Sequence, residues 1–129
     1  MTAYSMEHIG IAADDPEALA VWYRDVLGFS EFFRTDAQPP VIFLQDGSGA
    51  KVEIFPRKTG EKKPAFEDRG AMHLAIAVAD FDKAVADLES RGARFLDVAK
   101  PIFAEGKARF FSDPEGNRLH IVYRPTMPW

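Results

Sequence analysis

The chain holds three histidines, His8, His73 and His120, and no cysteine. His8 and His73 lie 65 positions apart, as do Asp15 and Asp80. Asp46, Gly49 and Glu53 map onto Asp113, Gly116 and His120 at a spacing of 67. All three histidines therefore occupy equivalent places in an internal repeat, and the fourth such place carries a carboxylate, Glu53. A lone histidine in a strand is ordinarily a core or surface residue. A set of four that respects one internal repeat is a stronger signal. Without thiolates, imidazole and carboxylate are the donors expected for Zn, Ni, Co, Fe or Mn. The expectation is one divalent metal ion on His8, Glu53, His73 and His120. Four ligands on an octahedral ion leave two adjacent positions open for substrate oxygens, or for substrate plus water, which the ion would polarise as a Lewis acid. Three neutral imidazoles and one carboxylate around a divalent ion leave a formal charge of about +1, which favours an anionic substrate. Glu53 is the expected catalytic base, being the only carboxylate of the set and able to leave the metal to take a proton, with a metal-bound hydroxide as the other candidate; a coordinated His120 has its lone pair engaged.

The elements that must position these residues are legible from period and punctuation. Met6 to Ala12 alternates, with Ile9 and Ile11 facing one way and His8, Gly10 and Ala12 the other. Asp15 is an N-cap with Pro16 behind it, and Leu19, Trp22, Tyr23 and Val26 form one apolar helix face. Gly28 marks the helix end. In the second half Leu74, Ile76 and Val78 oppose His73, Ala75 and Ala77. Asp80 caps a helix with the face Phe81, Ala84, Val85 and Leu88, and Gly92 ends it. Three short strands follow each helix, at Phe29–Arg34, Val41–Gln45 and Lys51–Phe55, then Arg94–Val98, Lys107–Phe111 and Arg118–Tyr123. Asp46-Gly47 and Asp113-Pro114-Glu115-Gly116-Asn117 are turn signals between the last two strands of each half. The fold class is α+β: one domain over 1–129 built from two paired βαβββ modules, 5–55 and 70–124, joined by a linker at 56–69. Apolar residues of the opposite parity flank each candidate ligand, so if those residues pack on the helices, all four ligands turn to the concave face.

Composition limits the alternatives. The 129 residues suffice for one compact domain, and a hydrophobic fraction of 47% is that of a folded protein. The net charge of −4 and the lack of a dense basic patch speak against nucleic acid as partner. No apolar run approaches a membrane span, and Met1 to Glu7 carries no secretory pattern. The expected location is the cytoplasm.

Several segments together resemble the vicinal oxygen chelate superfamily, which includes glyoxalase I, methylmalonyl-CoA epimerase, extradiol dioxygenases, fosfomycin-resistance enzymes and bleomycin-binding proteins. They are His8-Ile9-Gly10-Ile11, Trp22-Tyr23-Arg24-Asp25-Val26-Leu27-Gly28-Phe29, Val52-Glu53-Ile54, His73-Leu74-Ala75-Ile76 and Asp113 to His120. The resemblance implies a U-shaped, partly closed barrel around a metal, with ligands from the first and last strands of each module. Those places are His8, Glu53, His73 and His120. His120 departs from the Glu that most metal-dependent members carry there. Ala12 stands where glyoxalase I commonly has an Arg for glutathione. The expected activity is thus a glyoxalase-like isomerase, epimerase or lyase other than a strict lactoylglutathione lyase. A non-catalytic, bleomycin-resistance-like drug-binding protein and an extradiol dioxygenase are the alternatives.

The expected partners are a small-molecule substrate and a second copy of the chain, as a homodimer that covers exposed sheet edges. Phe32, Phe43 and Phe110 are candidates to line the substrate pocket. Arg34 and Arg109 are weaker candidates for contact with an anion.

Overall fold

The computed structural model describes residues 3–65, 67 and 72–129. The expected start of the second module, Gly70 and Ala71, and linker residues 66, 68 and 69 lie outside the described residues. Two compact units, Met1–Lys62 and Lys63–Trp129, divide the chain. No helix among the described residues is long and apolar enough to cross a membrane.

The first unit runs β1 (Ile9–Ala13), α1 (Pro16–Leu27), β2 (Ser30–Arg34), β3 (Ile42–Gln45) and β4 (Lys51–Pro56). Its sheet has the order β1-β4-β3-β2, with β1 parallel to β4 and the other pairs antiparallel. The helix begins where Asp15 accepts a hydrogen bond from the Ala18 amide at 3.0 Å, with Pro16 at its first position. It ends at Gly28, whose φ of 74° would strain any residue with a side chain. Leu19, Ala20, Tyr23 and Val26 are buried, and so are Ile11, Ile42, Leu44 and Ile54 from the sheet. Each large side chain of this set contributes about 1.5–3 kcal/mol by leaving water. Trp22 is only half-buried, at the margin of the helix face.

The second unit repeats the plan: β5 (His73–Ala77), α2 (Phe81–Ser90), β6 (Lys100–Ile102), β7 (Gly106–Ser112) and β8 (Arg118–Tyr123), in the order β5-β8-β7-β6. Asp80 caps α2 by accepting from the Lys83 amide at 3.1 Å. Phe81 and Leu88 are buried, as are Phe111, Leu119 and Ile121 of the sheet, while Ala84 and Val85 are half-buried.

The eight strands form two four-stranded sheets, one per module, as the repeat implies. One expectation changes. The second strand of the second module lies at Lys100–Ile102 instead of Arg94–Val98. Arg94–Val98 does run beside β7, with a single bridge from Phe95 to Phe111 and the Leu96 amide donating to Phe110 O at 3.0 Å. The Asp97 side chain then takes the Phe110 amide at 2.9 Å, displacing the backbone acceptor that a continuous ladder needs. Regular pairing resumes only at Lys100, opposite Ala108.

Candidate metal centre

Each unit brings two of the four candidate ligands together. In the first, His8 immediately precedes β1 and Glu53 sits mid-β4. Gly10 is the register partner of Glu53 across the parallel pair, and His8 shares Gly10's side of the strand by alternation. His8 Nε2 lies 3.7 Å from Glu53 Oε1. Its other ring nitrogen, Nδ1, lies 2.8 Å from the Glu7 carboxylate. With Nδ1 donating to Glu7, Nε2 presents its lone pair on the side of Glu53. A carboxylate behind a histidine in this way fixes the tautomer and raises the basicity of the free nitrogen, an arrangement common in metal sites. Gly10 makes room: a Cβ there would come within 3.1 Å of Phe55 Cε1 and 3.3 Å of Glu53 Oε1.

In the second unit, His73 opens β5 and His120 lies in β8, opposite Ala75. Their ring centroids are 4.8 Å apart at 65°. His73 is exposed and His120 is buried. Burial holds the His120 pKa below the ordinary imidazole range, and His73 lowers it further. Arg124 and Arg118 add to this, against a smaller opposing influence from the Ile121 backbone. His120 is therefore neutral near pH 7, the form in which imidazole donates to a metal. Its Nδ1 is buried without a well-formed hydrogen bond among the described residues. A buried nitrogen left in that state is costly, and a bound cation would satisfy it. The donor set of each half, an acid-backed imidazole with a carboxylate and a pair of imidazoles, fits a divalent transition metal.

Among the described residues no group of three or more His, Asp or Glu surrounds one point. The structure thus presents two pairs, one per unit, at matching places in the two sheets.

The aromatic candidates follow the same symmetry. Phe43 is the β3 partner of Glu53, and Phe110 is the β7 partner of His120. The Phe43 ring meets His8 edge-on, with centroids 5.4 Å apart, and Phe110 stacks on His120 at 4.7 Å. Phe32 approaches Phe43 at 6.0 Å and is substantially exposed. Arg118 lies over the Phe110 ring, 4.7 Å from its centre. The two arginines are otherwise engaged. Arg34 is ion-paired with Glu17 and Glu31. Arg109 donates to Asp97 O at 2.8 Å and lies over Phe95.

Glu7 escapes a reading of the sequence. Its repeat equivalent is Met72, and strict alternation would turn it away from His8. It reaches His8 because regular strand structure begins only at Ile9.

Comparison with known proteins agrees with this architecture. The family model of the Glyoxalase/Bleomycin resistance protein/Dioxygenase superfamily matches residues 5–121. The uncharacterized protein YaeR of Escherichia coli (strain K12) is 30% identical over 120 residues, covering 90% of this chain and 93% of that protein. The mitochondrial methylmalonyl-CoA epimerase of Homo sapiens is 27% identical over 120 residues, covering 85% of this chain and 66% of that protein. Among solved structures, a glyoxalase family protein from Enterococcus faecalis superposes with a TM-score of 0.78 at 24% identity, over 95% of this chain and 99% of that one.

Proposed function

The chain belongs to the glyoxalase/bleomycin resistance protein/dioxygenase superfamily, and on that premise we propose that it is a divalent-metal-dependent enzyme of the isomerase, epimerase or lyase type. Its substrate is a small anion that offers two vicinal oxygens. The observation that carries this is the pair of matching half-sites: His8 with Glu53 at 3.7 Å, and His73 with His120 at 4.8 Å between ring centres. The two halves together hold one ion, within one chain or across the two chains of a homodimer. β1 and β5 are edge strands of their sheets, which gives such a dimer backbone to pair.

When bound, an ion of the Zn, Ni, Co, Fe or Mn class supplies Lewis acidity toward a developing oxyanion. The chain's own residues do the rest. Glu53 serves as the base that takes a proton from carbon and returns it, a reading supported by its half-burial and its closeness to His8. Glu7 holds the His8 ring in one tautomer. Gly10, Ala75 and Ala77 keep the surrounding face low, so a substrate has space. Phe43 and Phe110 shield the two pairs from water on one side. The epimerase relative is named for a reaction that inverts a stereocentre, and proton removal and return is chemistry of that kind.

The test is a melting curve of untagged protein with zinc and with a chelator. Zinc should raise the melting temperature, and His8→Ala or His73→Ala should remove most of the gain. A protein indifferent to metal and chelator would end the proposal.

A further inference from the structure

The face that carries His120 continues as a groove beyond it. His120 and Val122 alternate to one side of β8, Arg124 continues that parity just past its end, and Ala75 and Ala77, the register partners of His120 and Val122, share that side. Of these, Ala75, Ala77, Val122 and Arg124, together with Met127 and Trp129, line a cavity of about 490 Å³, a volume in the range of small-molecule sites; His120 lies on the same face but outside its lining. Its walls are alanine, valine, methionine and tryptophan, and among the described residues its one charged group is Arg124.

Arg124 is held like a recognition group. Its guanidinium lies 4.2 Å from the centre of the Phe103 ring and 5.5 Å from that of Trp129. Nη1 donates to Phe103 O at 3.2 Å. No acidic side chain among the described residues pairs with it, whereas Arg34, Arg57 and Arg91 are all ion-paired. Stacking occupies the faces of a guanidinium and leaves its in-plane N–H donors, the ones that grip a carboxylate or phosphate as a fork. The four-residue step from His120 to Arg124 spans on the order of 13 Å of strand.

We propose that this groove is the substrate's second anchor, with Arg124 binding a distal carboxylate or phosphate and Val122, Met127 and Trp129 receiving an apolar chain between that group and His120. Joined to the reading of His120 as part of a metal centre, this names the substrate class: an acid with chelating oxygens at one end and a second anion several carbons away.

The test separates the groove from the metal. With a chelator present, ligand-observed NMR titration of the full chain measures octanoate against the neutral analogue octanol. Octanoate should bind about tenfold or more tightly than octanol, and Arg124→Gln should erase that preference. Arg124→Lys should retain part of it, which separates lost charge from lost folding. With zinc, the α-hydroxy derivative of suberate should bind more tightly than suberate, and His120→Ala should abolish that gain. If octanoate binds no better than octanol, or Arg124→Gln leaves the preference intact, the groove proposal falls whatever the metal does. If the octanoate result holds and the α-hydroxy gain is absent, the groove stands and the metal-centre reading falls instead.

Discussion

At the residue scale, four side chains attract notice in the sequence because the repeat places them in register, and each unit brings its two together. What the repeat does not reveal is their support. Glu7 has no acidic counterpart in the second half, where Met72 stands, so nothing marks it, yet it is the group that orients His8. Arg124 is the repeat equivalent of Arg57, but the repeat does not show that it lies just past the end of β8 beside Phe103 and Trp129. Glu7→Gln should weaken metal binding about tenfold with little change in the melting temperature of the metal-free protein, since it alters a partner of the ligand and no core contact. Gly10→Ala should act through Glu53. The new Cβ would press on the Glu53 carboxylate and the Phe55 ring, so one of them must move by a few tenths of an ångström. Its expected signature is weaker metal binding in a protein that still folds, measured by titration of each variant with zinc. Undiminished affinity in both variants would show that neither group positions a ligand.

At the scale of elements, caps and turns were the most readable features, because they depend on local chemistry. Asp15 and Asp80 cap their helices as their positions imply. Asp46 and Asp113 organise equivalent hairpin turns. Asp46 Oδ1 accepts from the Ser48 and Ala50 amides, and Asp113 Oδ1 accepts from those of Glu115 and Asn117. Asp113 is buried and Asp46 is not, so Asp113→Ala should cost more, by about 1 kcal/mol or above in chemical denaturation. The Asp46 carboxyl titrates below its usual range. Burial works to raise it, but hydrogen bonds from the Ser48 side chain and the Ala50, Ser48 and Gly49 backbone outweigh that. With the native pKa depressed, the unfolded chain takes up the proton first as pH falls. The stabilisation is complete above the unfolded pKa and is lost as pH drops through the native one, below about pH 4. Asp46→Asn should flatten that part of the melting temperature against pH curve; an unchanged acid limb would refute the assignment. The displaced β6 was less legible, because Asp97 interrupts the ladder by a side-chain hydrogen bond that alternation does not encode. Between β6 and β7, Ala104 and Glu105 hold φ of 59° and 55°, values that residues with side chains adopt at a cost. Glu105→Gly should relieve the strain and raise stability by about 1 kcal/mol in the same denaturation assay.

At the scale of the molecule, duplication explains why so much could be read early. A spacing that recurs at 65 to 67 residues specifies two like modules and the equivalence of β1 with β5 and of β4 with β8. The strand order within each sheet was less legible, because strand alternation says which face a residue occupies and nothing about which edges pair. The central claim is that His8, Glu53, His73 and His120 serve one ion although they belong to two units. Calorimetric titration of the untagged, metal-free chain with zinc tests it most directly, alongside the four single alanine variants. The expected result is one ion per chain and a loss of about a hundredfold or more in affinity from removing any one of the four, whichever unit it belongs to. Zinc binding that survives loss of His73 and His120 but not of His8 and Glu53, or the reverse, would contradict it, as would a chain that binds no zinc.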